Sequence, residues 1–108
     1  MKSGNPFLGV WRIVEMDVWS QDYVNLEVPG HFTFAKDNLG EFQFGTVRGW
    51  LDCRRGKVDG ADRIEFSWEG QSDTDDACGR GWALIKDGEL HGHIYIHCGD
   101  DSAFRAVK

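Results

Sequence analysis

Proline, cysteine and long apolar runs are all scarce in this sequence of 108 residues. Only Pro6 and Pro29 occur, so no proline-rich linker divides a chain whose length is usual for one domain. No apolar run approaches the roughly 20 residues that span a bilayer as a helix, and the first residues lack the apolar core of a signal peptide. The three cysteines form no paired framework, which favours buried thiols in a reducing compartment over a disulfide. We therefore expect one domain, residues 1–108, that is cytoplasmic and does not bind membranes.

Basic residues are also few compared with acidic residues. The chain has 12 Lys and Arg residues against 18 Asp and Glu residues, which gives a formal net charge of −6. Proteins that bind a phosphate backbone present clusters of Lys and Arg that release counterions, and no such cluster stands out here. We therefore expect no nucleic-acid partner.

Glycine and aromatic residues, by contrast, are abundant, and they punctuate and fill segments of alternating polarity. Fourteen glycines recur at short intervals, and the chain contains five Trp and seven Phe residues. Alternation at a period of two is typical of strands with one buried face. It predicts an all-β antiparallel fold of seven to eight strands, either a small barrel or a strongly bent sandwich. The predicted strands are 7–17, 30–36, 40–52, 62–69, 79–86, 89–98 and 102–107.

Two details of this fold are left open by the pattern. The segment 18–27 breaks the alternation. It forms either a short helix, in which Trp19, Tyr23 and Leu26 share one apolar stripe, or an irregular loop. The aromatic residues of the strands either pack a core or enclose a dry cavity for a small ligand, and packing is the default. The residues assigned to this core are Trp11, Trp50, Trp68, Phe42, Phe44 and Phe66.

Asp87-Gly88 is the strongest turn signal, since Asp-Gly between alternating segments favours a two-residue type I′ hairpin. This turn sets the register of the two flanking strands and places four pairs on one side of the ribbon. These pairs are Arg80 with Tyr95, Trp82 with His93, Leu84 with His91, and Cys78 with His97.

Three histidines therefore share a face, and their chemistry admits a metal site. His91 and His93 lie about 6.6 Å apart along a strand, which suits two ligands of one zinc ion. No third ligand is available across the strand, and we favour a semi-exposed sheet face that holds no metal or cofactor. A metal-dependent enzyme that uses His91 and His93, or the Cys78–His97 end, is the least favoured alternative.

The remaining chemistry of this face is that of a recognition surface. Arg80 opposite Tyr95 lets a guanidinium stack on an aromatic ring, with Trp82 alongside. Trp, Tyr and Arg are enriched in binding hot spots, but composition does not identify the partner. We predict a non-enzymatic binding protein for a small organic ligand, and alternatively a protein-interaction module that pairs with a second copy of itself. The predicted ligand or interface residues are Arg80, Trp82, His91, His93, Tyr95 and His97.

Two sets of motifs in the sequence resemble known groups of proteins. Gly9-Val10-Trp11 on the first strand and Arg105 on the last are similar to the lipocalin and wider calycin arrangement. The resemblance implies a small ligand-binding barrel in which Trp11 packs against Arg105 in a structural role. The strings GWLDC at 49–53, FSWEG at 66–70, GRGWA at 79–83 and HCGDDS at 97–102 resemble a group of small bacterial proteins, which implies a family but no activity.

Overall fold

The structure is a computed structural model that describes residues 5–108 and shows a closed barrel of eight antiparallel strands. Each strand pairs with the next one along the chain, and the last strand closes the barrel against the first. The prediction of an all-β antiparallel barrel is confirmed. The strands are β1 Gly9–Met16, β2 His31–Phe34, β3 Leu39–Phe44, β4 Val47–Val58, β5 Ala61–Ser72, β6 Asp75–Lys86, β7 Glu89–Ile96 and β8 Asp101–Val107.

Two Asp-Gly turns set the register of the β4–β5 and β6–β7 hairpins. Asp87 and Gly88 have φ angles of 54° and 79°, and Asp59 and Gly60 have φ angles of 52° and 81°. Two successive positive φ angles are what a type I′ turn requires, and Asp followed by Gly tolerates them best. The predicted β6–β7 hairpin is confirmed, and a matching one joins β4 to β5.

The predicted strand 40–52 is in fact two strands, β3 and β4. They are joined at Gly45-Thr46, where Gly45 has a φ of 58°. A glycine in the first position of a two-residue turn matches the type II′ geometry. The sequence pattern missed this turn because Phe44 and Val47, its flanking residues, continue the apolar character of both strands.

The segment 18–27 forms only a one-turn helix, α1 Gln21–Val24, whose N-cap Ser20 accepts a hydrogen bond from the Tyr23 N–H. Trp19 packs on Phe44 with ring centroids 4.8 Å apart, and Tyr23 also packs against the core. Leu26 is 60% exposed, so the predicted apolar stripe stops after Tyr23. The chain leaves the helix at Asn25, which turns Leu26 outwards.

The interior of the barrel is filled by stacked aromatic side chains. The Phe32 ring lies 4.4 Å from that of Phe104 and 5.4 Å from that of Phe42. Two inward-facing glycines make room for them: a Cβ at Gly81 would lie 2.5 Å from Phe66, and one at Gly92 would lie 2.7 Å from Phe104. Large and small residues interdigitate in this way in densely packed cores. The packed-core interpretation therefore describes the interior, and the concave surfaces lie on the outside of the barrel.

None of the helices in residues 5–108 has the length and apolar character needed to cross a membrane.

Candidate functional site

The outer face of β6 and β7 carries the predicted site residues in the predicted register. Arg80 pairs with Tyr95, Trp82 with His93, and Leu84 with His91. Alternation turns all six side chains outwards because Ala83, Leu90 and Ile94 of the same strands are fully buried. His97 is an exception, since it lies in the turn after β7, where its backbone N–H donates to the Cys78 carbonyl at 2.7 Å.

His91 and His93 lie next to carboxylates rather than next to a shared metal position. His93 Nε2 lies 2.5 Å from Asp101 Oδ2, and His91 Nε2 lies 3.3 Å from Glu89 Oε1. No group of three or more His, Cys, Asp and Glu side chains within residues 5–108 is placed to hold a metal ion. The two imidazoles thus belong to separate local pairs.

Trp82 and Arg105 also have partners within the chain. The Arg63 guanidinium lies 4.5 Å above the Trp82 ring, close enough for a cation–π contact. Arg105 donates to Glu15 at 3.2 Å and to Glu89 at 3.1 Å. The hydrogen bond to Glu15 and the charge of Glu89 raise the pKa of the Arg105 guanidinium above its ordinary value.

The expected packing of Arg105 on Trp11 is replaced by a contact with Lys108. Trp11 is buried, whereas Arg105 follows the inward-facing Phe104 and therefore points outwards. Lys108 lies 4.9 Å over the Trp11 ring and donates to the Leu8 carbonyl. A basic residue of the closing segment does cover the tryptophan, but the period of the strand assigns this contact to a different residue.

The groove at one end of β5, β6 and β7 contains the predicted site residues whose hydrogen-bonding groups have the fewest partners. We call it the Tyr95 groove; it has a volume of about 620 Å³ and is lined by Glu69, Cys78, Arg80, Tyr95, His97 and Cys98, among others. The Arg80 guanidinium lies 4.5 Å over the Tyr95 ring, and the His93 ring lies 4.6 Å from the same ring. The structure therefore brings Arg80, Tyr95 and His97 to one concavity and leaves Trp82, His91 and His93 outside it.

Within residues 5–108, the side chains of Arg80 and His97 form no hydrogen bond and no ion pair. Arg54, Arg55, Arg63 and Arg105 each lie within 4.0 Å of a carboxylate, and Arg80 does not. His31, His91 and His93 each pair with an oxygen atom, and the His97 ring does not. Two nitrogen-bearing side chains of the Tyr95 groove thus have unused hydrogen-bonding capacity within residues 5–108.

The cysteines are distributed differently from the prediction of buried thiols. Cys53 is buried inside the barrel, and burial raises the pKa of its thiol to about 11. Cys78 and Cys98 are exposed and line the Tyr95 groove. All three are free thiols.

Trp50 was predicted to be a core residue and is instead 67% exposed. Gly49, Leu51 and Cys53 occupy the inner positions of β4, so Trp50 shares the outer face with Arg48 and Asp52. The charged residues two positions away on either side were the signal in the sequence, since residues i and i+2 of a strand share a face. The prediction of a buried Trp50 rested on its aromatic character and neglected these charged neighbours.

These features define a closed eight-stranded antiparallel barrel with a packed aromatic interior, an architecture that is compatible with a lipocalin-like fold. Comparison of the chain with protein-family models, with curated proteins and with solved structures gave no match.

Proposed function

We propose that this barrel is a non-enzymatic binding protein that takes a small organic anion in the Tyr95 groove. The observation that carries the proposal is the Arg80 guanidinium, which is held 4.5 Å over the Tyr95 ring without a carboxylate partner in the described chain. Stacking orients the planar fork of donors and leaves their edge available.

The chemistry of Arg80 favours a carboxylate or phosphate group as the ligand's polar end. Arginine binds these groups through two parallel N–H···O bonds, which are among the stronger hydrogen bonds in proteins. The free ring nitrogens of His97 add a further donor or acceptor at the same groove. The half-buried Ile96 supplies an apolar contact for the body of the ligand. Small-molecule sites combine apolar walls with a few convergent polar groups in this way.

The proposal is tested by titrating the protein with benzoate, salicylate and phenyl phosphate while following amide and side-chain resonances by NMR. We expect saturable shifts at Tyr95, His97 and Cys98, and none with benzyl alcohol, which lacks the anionic group. Arg80→Gln is expected to weaken binding about tenfold or more, because a charge-assisted bidentate contact is lost. Arg12→Gln is the matched control, since Arg12 is on the outer face of β1 and has no carboxylate within 4.0 Å in the described chain.

Two results would contradict the proposal. One is equal binding of benzoate and benzyl alcohol, which would remove the role of Arg80. The other is a concentration-dependent dimer in sedimentation that Trp82→Ala converts to a monomer, with no anion bound. That result would favour the interaction module instead.

A further inference from the structure

We infer that the protein has a second binding site, beside the Tyr95 groove, where the exposed ring of Trp50 stacks on a saccharide. The site lies on the outer face of β4, β5 and β6 and shares Glu69 and Cys78 with the Tyr95 groove. The inference rests on Trp50 and not on Arg80, so it does not require the proposed anion site. We call it the Trp50 groove; it has a volume of about 840 Å³ and is lined by Arg48, Trp50, Glu69, Gln71, Asp76 and Cys78, among others.

Within residues 5–108, Trp50 differs from the other four tryptophans in having no aromatic or cationic partner for its ring. The other four each contact an aromatic ring or a cation, whereas no such contact within residues 5–108 involves Trp50. The partners are Lys108 for Trp11, Tyr23 and Phe44 for Trp19, Phe42 for Trp68, and Arg63 for Trp82.

An uncovered indole at 67% exposure leaves a large apolar surface in water. It is held on a strand with paired neighbours on both sides, because Trp50 is opposite Glu41 on β3 and Glu69 on β5. Directly opposed side chains on one face have Cβ atoms about 5 Å apart, so a carboxylate borders the ring on each side. The flat ring is therefore presented on a rigid sheet and bordered by hydrogen-bonding groups.

The polar groups of the groove point to a neutral, hydroxylated ligand. Glu69 and Asp76 only accept hydrogen bonds when ionised, Arg48 only donates, and the amide of Gln71 does both. Arg48 Nη2 already donates to Gln71 Oε1 at 3.1 Å, which holds the two side chains in place. An anion would be repelled by Glu69 and Asp76, and a cation would be repelled by Arg48. Sugar hydroxyls donate and accept, and the C–H face of a pyranose ring matches the electron-rich face of an indole.

The same border argues against a second copy of the chain as the occupant. The centre of a stable protein interface is depleted of charged residues. A two-fold contact centred on Trp50 would bury Glu41 and Glu69 close to their symmetry copies, and like charges that are desolvated together oppose association.

The test follows the indole N–H resonance of Trp50 and the side-chain amide of Gln71 while cellohexaose, maltohexaose, chitohexaose and mannohexaose are added separately. We expect at least one of them to shift both resonances saturably. In Trp50→Ala, we expect that the saccharide concentration needed for the same Gln71 shift rises about tenfold or more. Because Trp50 is exposed, this variant keeps the barrel core, and its thermal midpoint provides the check on folding.

Trp82→Ala is the matched control, because it removes another outer-face tryptophan whose ring is covered by Arg63. We expect it, like Arg80→Gln, to leave the saccharide shifts unchanged. The inference is overturned if none of the four saccharides shifts the Trp50 indole, if Trp50→Ala keeps the full Gln71 response, or if Trp50→Ala turns a dimer into a monomer in sedimentation. Failure of the anion titration with success of the saccharide titration would overturn only the proposed function.

Discussion

The inner and outer surfaces of the barrel carry similar residues with different roles. Trp68 and Trp50 lie on neighbouring strands, where Leu51 is opposite Trp68 and Trp50 is opposite Glu69. Trp68 is 2% exposed and Trp50 is 67% exposed. A shift of one residue along the strand thus separates a core residue from a surface one, because successive side chains point to opposite faces. Inside the barrel, the type of residue determines how much it stabilises the fold. On the outer surface, a side chain is available to a ligand only if it has no partner within the protein.

The largest expected effect separates these two tryptophans. Trp68→Ala is expected to lower the free energy of unfolding by about 3–5 kcal/mol, since it leaves a cavity beside Phe42. Trp50→Ala is expected to change it by about 0.5 kcal/mol or less, as for most surface substitutions. Urea unfolding followed by circular dichroism measures both. Equal losses in the two variants would contradict the assignment of Trp50 to the outer face.

A second comparison uses the buried thiol of Cys53 and the exposed thiol of Cys78. Burial raises the pKa of Cys53 from 9.0 to about 11, so the unfolded chain releases this proton at lower pH than the folded one. The stabilising contribution is complete below pH 9.0 and is lost as the pH rises towards about 11. This contribution to the free energy of unfolding is roughly 2–3 kcal/mol.

Unfolding measured in urea between these pH values checks this expectation. Cys53→Ala should flatten the alkaline decline in stability, while Cys78→Ala, the matched control, should retain it. A thiol reagent at neutral pH should modify Cys78 and Cys98 in the folded protein and reach Cys53 only on unfolding. Rapid modification of Cys53 in the folded state would show that the interior is open.

Ser102 and Asp101 are consecutive residues on the two faces of β8. The buried Ser102 hydroxyl accepts hydrogen bonds from the N–H groups of Asp17 and Val18 at 3.0 and 3.2 Å. Ser102→Ala leaves the Val18 N–H without this acceptor, while the Asp17 N–H keeps its bond to the Ala103 carbonyl, and the loss is expected to be about 1–3 kcal/mol. Asp101→Asn weakens an exposed pair with His93 and is expected to cost less than about 1 kcal/mol. Thermal unfolding ranks the two, and the reverse order would contradict the assigned faces.

The smallest effect tests which cation covers Trp11. Lys108→Ala is expected to shift the Trp11 indole resonance and to cost about 0.5–1 kcal/mol, as the cation–π contact is lost. Arg105→Ala, which removes surface ion pairs with Glu15 and Glu89, should leave this resonance in place. A larger shift in Arg105→Ala would restore the lipocalin-like pairing implied by the resemblance.

Much of the sheet was predictable because strands and turns are local. The alternation around Ile64, Phe66 and Trp68 and the Asp87-Gly88 turn predicted the β5 strand and the β6–β7 register that the structure has. The Gly45-Thr46 turn was missed because its type II′ signature is weaker in sequence than that of Asp-Gly. The early end of α1 was missed because a four-residue helix depends on its tertiary contacts more than on its periodicity.

The candidate site was predictable only in part. The sequence placed Arg80 opposite Tyr95, and the structure has the two side chains in contact. It did not show that Arg63 covers Trp82 or that Asp101 pairs with His93. These partners come from strands β5 and β8, and only the pairing of separate hairpins brings them to this face.

The sequence by itself determined that the chain forms antiparallel strands with one apolar and one polar face, because a period of two and turn chemistry are local properties of the backbone. Only the tertiary structure decided that the sheet closes between β1 and β8, which fills the interior with aromatic rings. Closure also decided which outer side chains find partners from distant strands. Among residues 5–108, Arg80 and Trp50 are left without such partners, and they carry the two proposed binding sites.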